Sequence, residues 1–341
     1  MSFLSQTEHQ IWARYLSVDK IRQYCRILQT APDIRRFSIH GGGGSSANDD
    51  HESPIDDDQV MELVTALSLY QGGEKSTIQE FSIDFFTFSV NGWNALRKVL
   101  CYELKNLRKL YLRQVYVKDE DGIVIPEHLT KYLLTDGGCP RLEELQLVDC
   151  HLNALAAQGL GRQMEFSQLK VLSLEGNSIG NVGVKCIAEA IQGDVCMQAL
   201  DIDRVGCALD GLTVLAECLM ENITMQSLSC SGNGGIDFAL RRRSSSSDNR
   251  SSDQTSAFRH PFEDLLQVNT ILQKIQPSGI TPTIDFLLKV NRAGRRFIGQ
   301  NGMGKILHLA LERVCDDPDV VHYFLKAQSG SEMLQSNKVD M

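Results

Sequence analysis

The chain has no stretch approaching the roughly 18 apolar residues of a membrane-crossing helix, so no span is predicted. Its first residues, MSFLSQTEHQIWARYLS, lack a positive region followed by an apolar one, so no secretory signal is visible. Basic residues do not dominate. Lys and Arg number 34 against 43 Asp and Glu, and the net charge of −9 disfavours a general nucleic-acid binder, which needs a basic face to displace counterions. The ten cysteines are scattered, without the close pairs of a zinc site. They read as free thiols used as small core residues in a reducing, cytoplasmic setting. There is no GxSxG, no HExxH and no GxxxxGK[ST] phosphate loop, so nucleophilic, zinc-hydrolytic and nucleotide-cleaving chemistry lack their usual signatures and the chain reads as a non-enzyme. GQNGMGK at 299–305 only imitates a phosphate loop, because a basic helical stretch precedes it instead of a strand.

What the chain does have is a ladder of apolar residues that recurs with a fixed phase. The cleanest copy, LKVLSLEGNSIGNVGVKCIAEAIQG, places Leu169, Leu172 and Leu174 at the spacing LxxLxL. Asn177, Ile179 and Gly183 follow, then Ile187 and Ile191 on one helical face. That order encodes a short strand, a tight turn and a helix in about 28 residues. Strand patterns begin at Ile34, Ile78, Leu107, Leu142, Leu169, Met197 and Met225, and a weaker one at Leu272, with successive spacings of 44, 29, 35, 27, 28, 28 and 47 residues. The short spacings give the period and the long ones mark insertions.

The helical halves agree independently. Val60, Leu63, Val64 and Leu67 fall at the i, i+3, i+4, i+7 spacing of one buried helix face, as do Val184, Ile187, Ala188 and Ile191, and Leu212, Leu215, Ala216 and Leu219. Gly92, Gly183 and Gly211 share one register ahead of their helices, where a small residue permits close approach or an unusual dihedral. The ninth position of the repeat is Cys150, Asn177 or Asn233 in three copies and Phe86, Val115 or Val205 in three others. An inward polar side chain there serves loop backbone groups that would otherwise be buried without partners. The apolar copies must satisfy that backbone in another way.

On these residues, from Lys20 to Pro277, the chain resembles the leucine-rich-repeat superfamily, specifically the long-repeat subtype of the ribonuclease-inhibitor kind. The resemblance implies a right-handed α/β horseshoe, a solenoid with parallel strands on the concave face and helices outside. NRAGRR, from Asn291 to Arg296, is similar to the tail of stand-alone leucine-rich-repeat proteins of unicellular eukaryotes.

A solenoid exposes its terminal core and needs caps. Residues 1–29 are expected to form an N-terminal helical cap, with Trp12, Tyr15 and Leu16 covering Tyr24 and Leu28 of a repeat that has lost its strand. Residues 30–277 form the solenoid, 278–328 a C-terminal helical cap and 329–341 a disordered tail. Ile284, Leu287 and Leu288, then Ile306, Leu309 and Ala310, then Val320, Val321 and Phe324 mark three cap helices, His308 being a core or boundary residue. Asn291, Arg292, Arg295 and Arg296 between them are expected to bond helix-end carbonyls or to form a basic docking patch.

Three insertions interrupt the repeats, at 41–58, 117–127 and 238–260. The first (GGGGSSANDDHESPIDDD) and the third (containing RRRSSSSDNRSSDQTS) carry too little apolar surface to offset ordering entropy and should be mobile. Arg241 and Arg242 precede Ser244 as basophilic kinases accept, and Ser53 precedes Pro54; both serines are candidate phosphorylation sites. The acidic run from Asp49 to Asp58 lacks the DxDxDG spacing of a calcium loop, and no metal or other cofactor is expected.

Strand residues alternate faces, so those between ladder positions should line an open surface. Its candidate partner-binding residues are Arg36, His40, Glu80, Asp84, Lys109, Tyr111, Arg113, Glu144, Glu175, Asp201 and Asp203. Lys109, Tyr111 and Arg113 combine the residue types favoured as interface anchors. Glu144, Glu175, Asp201 and Asp203 form an acidic stretch that a basic partner could approach under charge steering. The expected function is a cytoplasmic, monomeric scaffold that binds a protein on this face. A small-GTPase activator is the second reading, although the tail SGSEMLQSNKVDM lacks the long acidic run of that group. A ubiquitin-ligase substrate adaptor is the third, although LSQTEHQIWARYLSVDKIRQYCRIL lacks the early proline of the expected motif.

Overall fold

A computed structural model describes residues 8–12, 34–40, 77–134, 139–165, 167–193, 196–234, 260–278, 280–293, 295 and 316–326. Nine strands form one sheet in strict chain order, every neighbouring pair parallel. They are β1 (Glu8–Trp12), β2 (Arg36–His40), β3 (Glu80–Ser89), β4 (Lys109–Lys118), β5 (Glu144–Val148), β6 (Val171–Ser173), β7 (Ala199–Asp201), β8 (Ser227–Ser229) and β9 (Lys274–Gln276). The helices are α1 (Val90–Lys98), continued by a π-helical turn at Val99–Glu103, α2 (Pro126–Thr130), α3 (Ala154–Met164), α4 (Gly180–Gln192), α5 (Leu209–Glu221), α6 (Pro261–Val268), α7 (Pro282–Ala293) and α8 over 318–326.

The ladder residues meet as neighbours. Leu110, Leu145, Leu172, Leu200, Leu228 and Ile275 are consecutive register partners across β4 to β9, and each is buried. Phe37, Phe81 and Leu110 continue the row toward the N-terminus. The helices close the other side of this layer. Val184, Ile187, Ala188 and Ile191 of α4 are buried, as are Leu212, Leu215, Ala216 and Leu219 of α5, and all belong to one continuous core. Burial of a Leu or Ile side chain contributes about 1.5–3 kcal/mol, so no single repeat could hold itself together without its neighbours.

The ninth-position asparagines do what their burial requires. Asn177 accepts from the Cys150 and Leu152 N–H groups at 3.0 and 2.9 Å and donates to the Leu147 and Leu174 carbonyls at 2.6 and 2.7 Å. Asn233 repeats the pattern one repeat further on, accepting from Val205 and Cys207 and donating to Ile202 and Cys230. The apolar copies are served differently. Beyond Phe86 and Val115 the strands continue, and Phe86↔Val115 through Ser89↔Lys118 pair as a second stretch of ladder. Val205 borrows the Asn233 side chain of the next repeat.

A second asparagine series, of which the sequence pointed to Asn291 alone, binds the helical side. Asn222 donates to the Ile191 carbonyl, Asn269 to Leu219 and Asn222, and Asn291 to Asn269 and Leu272. Arg295 donates to the Leu266 and Gln267 carbonyls at the end of α6, at 2.5 and 2.7 Å. In NRAGRR, Arg295 thus acts on the last carbonyls of α6, and Asn291 on carbonyls of the connection from α6 to β9.

The eighth position of six repeats is left-handed. Phe85, Gln114, Asp149, Gly176, Arg204 and Gly232 all have φ between 51° and 73°. That turn bends the chain out of the strand direction. A Cβ on Gly176 would lie 1.8 Å from Asp149 Oδ1, and one on Gly232 would lie 2.7 Å from Arg204 Cγ. Gly183 and Gly211, by contrast, serve close approach: a Cβ there would meet Ile179 Cβ at 2.6 Å and Cys207 Sγ at 2.5 Å.

Two expectations are corrected. Residues 8–12, assigned to a helical cap at 1–29, form a strand paired with β2, so the first repeat keeps its strand. An open edge at β2 would leave a row of backbone groups unpaired, and EHQIW supplies them without displaying the ladder pattern. The insertion at 117–127 is largely built into the fold. Val117 is a buried strand residue, Asp119 accepts from the Asp121 and Ile123 N–H groups to close a turn, and Pro126 and Glu127 begin α2. The insertion ending at His260 also closes on an ordered residue, since His260 is buried and its Nδ1 accepts from the Phe262 N–H at the start of α6. At the C-terminal end, Val290 and Ala293 of α7 pack on Val320 and Phe324 of α8.

Candidate functional site

Among the described residues, helices cover one side of the sheet and leave the other open. On the open side three rows run across the strands. The first holds Arg36, Glu80, Lys109, Glu144, Val171, Ala199, Ser227 and Lys274. The second holds Ser38, Ser82, Tyr111, Gln146, Ser173, Asp201, Ser229 and Gln276. The third holds His40, Asp84, Arg113 and Val148, and beyond β5 the turns present Glu175 and Asp203. Every predicted partner-binding residue therefore lies on this face or at its rim, and each is at least partly exposed. Ser173 is the exception among the intervening side chains. It is buried and donates to Asp201 Oδ2 at 3.0 Å.

The two halves of the face differ in charge. Over β2 to β5 opposite charges alternate along the first row and neutralise one another. Arg36 meets Glu80 at 3.2 Å and Lys109 meets Glu144 at 3.1 Å; in the third row His40 Nδ1 lies 2.8 Å from Asp84, an ion pair only when the ring is protonated. Such exposed pairs contribute little stability but fix side-chain positions. Lys109, Tyr111 and Arg113 do come together, though not as a free cationic anchor. Glu144 holds the Lys109 ammonium more firmly protonated. Tyr111 is half-buried, and burial, then the charges of Glu144 and Glu80, push its phenol up to about 12. Arg113 reaches over the Phe85 ring, 5.9 Å from its centre.

Over β6 to β8 negative charge collects. Among the described residues, Asp149, Glu175, Asp201 and Asp203 gather beside one cation, Arg204, which lies 2.7 Å from Glu175 and 4.0 Å from Asp149. Burial raises the Asp201 carboxyl above its ordinary value, and the charges of Asp203 and Glu175 add to the rise. Hydrogen bonds from the Asp203 N–H and the Ser173 hydroxyl work the other way. Asp203 accepts from the Ser229 hydroxyl at 2.7 Å and the Ser231 N–H at 2.6 Å. Asp149 and Arg204 were not foreseen as part of this region. Both occupy the left-handed eighth position, which carries no consistent residue type.

Ser53, Ser244, the acidic run at 49–58, His308 and the 299–305 segment lie outside the described residues. Among the described residues, no group of three or more His, Cys, Asp and Glu is placed to hold a metal ion. Nor is any described helix long and apolar enough to cross a membrane. The eight described cysteines are free, six of them buried. Cys101 and Cys139 share a hydrogen bond at 3.3 Å, while burial pushes the Cys150 thiol up to about 12.

No protein-family profile and no curated relative match the sequence. Solved structures do: 78 chains match, one of them the Leiomodin-1 Actin-Binding Site 2. It is 18% identical, with a TM-score of 0.34, and the alignment covers 44% of this chain and 82% of that one. The repeating parallel sheet with outer helices fits a leucine-rich-repeat-like fold.

Proposed function

We propose that this protein is a non-catalytic recognition scaffold that binds another protein on the open face of its sheet. The finer architecture belongs to the same reading: a right-handed horseshoe of the ribonuclease-inhibitor subtype, acting as a monomer in a reducing, cytoplasmic setting. One observation carries the proposal. Side chains from β2 to β8 stand in register on a broad polar face that no described helix covers, while the opposite face is consumed by the core. Parallel sheets are ordinarily covered on both faces, so an uncovered one is available for a partner.

The acidic end sets the orientation of docking. A partner presenting Lys or Arg relieves the mutual repulsion of Glu175, Asp201 and Asp203, whereas the β2–β5 half, already neutralised, offers shape and hydrogen bonds. Glu175→Gln with Asp201→Asn keeps side-chain size and removes two charges. Affinity purification of that variant should lose the partners held by wild type at low salt, and wild type should lose them as salt rises. The Lys109→Ala, Tyr111→Ala, Arg113→Ala triple should lose them at any salt, because it removes contact area. If both variants keep native circular dichroism and an unchanged set of bound proteins, the open face is not the docking surface.

A further inference from the structure

The helical side carries a polar pocket that the open face does not use. Between α1, its π-helical continuation and α2 lies an open cavity of about 970 Å³. Arg97, Lys98, Tyr102, His128, Lys131 and Tyr132 are among its lining residues, and among the described residues Glu103 is the only carboxylate there. Among the described residues, three cations thus gather around one anion in a chain of net charge −9.

Several cations at the sheet are held by carboxylates. Arg36, Lys109, Lys170 and Arg204 each meet a carboxylate within 3.2 Å. Among the described residues, Arg97, Lys98 and Lys131 form no ion pair. Arg97 and Lys131 instead converge on one aromatic ring, 5.3 and 5.1 Å from the centre of Tyr132. A cation–π contact holds a cation in place without neutralising it, so the positive charge stays available to a ligand. The backbone is bent to build this arrangement. Tyr132 is left-handed at φ 63°, an uncommon conformation for a bulky residue and one that clusters at ligand-binding sites. The π-helical turn beneath the pocket is likewise a feature found disproportionately at functional positions.

The ligand chemistry follows from the groups. An Arg fork and two ammonium groups suit an anion with several oxygens and more than one formal charge, and the Tyr102 and Tyr132 hydroxyls are further donors. A single carboxylate would use only part of the site. We propose that this pocket binds a multiply charged phosphate group, with Arg97, Lys98 and Lys131 as its ligands. Free polyphosphate and the phosphates of a nucleotide share that chemistry.

Calorimetric titration of the full chain at low salt with sodium pyrophosphate, ADP and adenosine tests the proposal and separates the sources. Pyrophosphate should bind, and its affinity should fall as salt rises. Arg97→Gln with Lys131→Gln should weaken it at least about tenfold. Lys274→Gln, on β9 of the open face, should leave it unchanged. ADP tighter than pyrophosphate identifies a nucleotide site; equal affinities identify a phosphate site. Adenosine should not bind. Circular dichroism of the variants, with Trp93 fluorescence reporting on the neighbouring His128 carbonyl that its indole bonds at 2.8 Å, confirms that the fold is intact. The proposal fails if millimolar pyrophosphate gives no binding, if the folded double variant binds as wild type does, or if Lys274→Gln weakens binding equally.

Discussion

Asn177→Ala should destabilise the protein by about 3–5 kcal/mol, because it strands two buried N–H groups at about 1–3 kcal/mol each and deletes the amide's own donor bonds. Asn177 is 1% exposed, and the Cys150 and Leu152 N–H groups both use its carbonyl oxygen. Nothing else is placed to replace that acceptor in either bond, since the surrounding Leu147, Leu152 and Leu174 are buried side chains of the core. Asn181→Ala is the matched control. Its side chain accepts from the exposed Ala208 N–H at 2.7 Å, where water can substitute, and its loss should cost about 1 kcal/mol. Urea denaturation measures both variants. Amide exchange at Cys150 and Leu152 should accelerate in the first and not in the second. A loss below about 1 kcal/mol for Asn177→Ala would mean that water enters the turn and the buried amide is not what joins these repeats.

Acidification should release the C-terminal repeats through His260. Burial pushes this imidazole down to about 4. Its Nδ1 accepts the Phe262 N–H at 3.3 Å, so the neutral ring carries its proton on Nε2, and that atom is buried without a partner. Protonating Nδ1 would destroy the cap as well as bury a charge. Above about pH 6.5 both folded and unfolded chains hold a neutral imidazole, and this group costs nothing. As pH falls from 6.5 toward 4 the unfolded chain takes up a proton that the folded chain refuses, and stability declines. The loss is about 2 kcal/mol by pH 5 and about 3 kcal/mol below pH 4. His260→Asn keeps a side-chain oxygen for capping and cannot titrate. Urea midpoints of wild type and His260→Asn should diverge between about pH 6.5 and 5, before most carboxylates protonate. Parallel pH profiles would show that the ring finds water or rearranges.

The apolar ladder was legible because its period forces Leu145, Leu172, Leu200 and Leu228 into one row, and the row is there. Asn177 and Asn233 were legible for the same reason: their place in the period is fixed and buried turns need a donor and an acceptor together. Asn222 and Asn269 carried a usable signal that went unread. Each stands three residues before the first apolar position of a strand, Met225 or Leu272, and accepts that residue's N–H. The strand at Glu8–Trp12 was illegible because pairing with β2, not its own pattern, makes it a strand. The open face was predicted by alternation alone. Its ion pairs were not, because Arg36 and Glu80 are 44 residues apart and only the register brings them together. The basic pocket was invisible for a related reason: Arg97 and Lys131 sit in different repeats and meet at a ring whose position depends on one left-handed residue.

The left-handed eighth position makes neighbouring modules a matched set. Asp149 fills the space that a side chain on Gly176 would need, and Arg204 does the same above Gly232. From Asp149 to Gly232 large therefore alternates with absent along this edge, and each of these glycines is dictated by the unit before it. A copy of the 169–196 segment spliced in after itself would set glycine beside glycine and leave a notch where Arg204 now reaches back to Glu175. Units of this protein are thus not interchangeable bricks. Their order is written into the edge of the sheet, and lengthening the array by duplication would demand a compensating change one unit away.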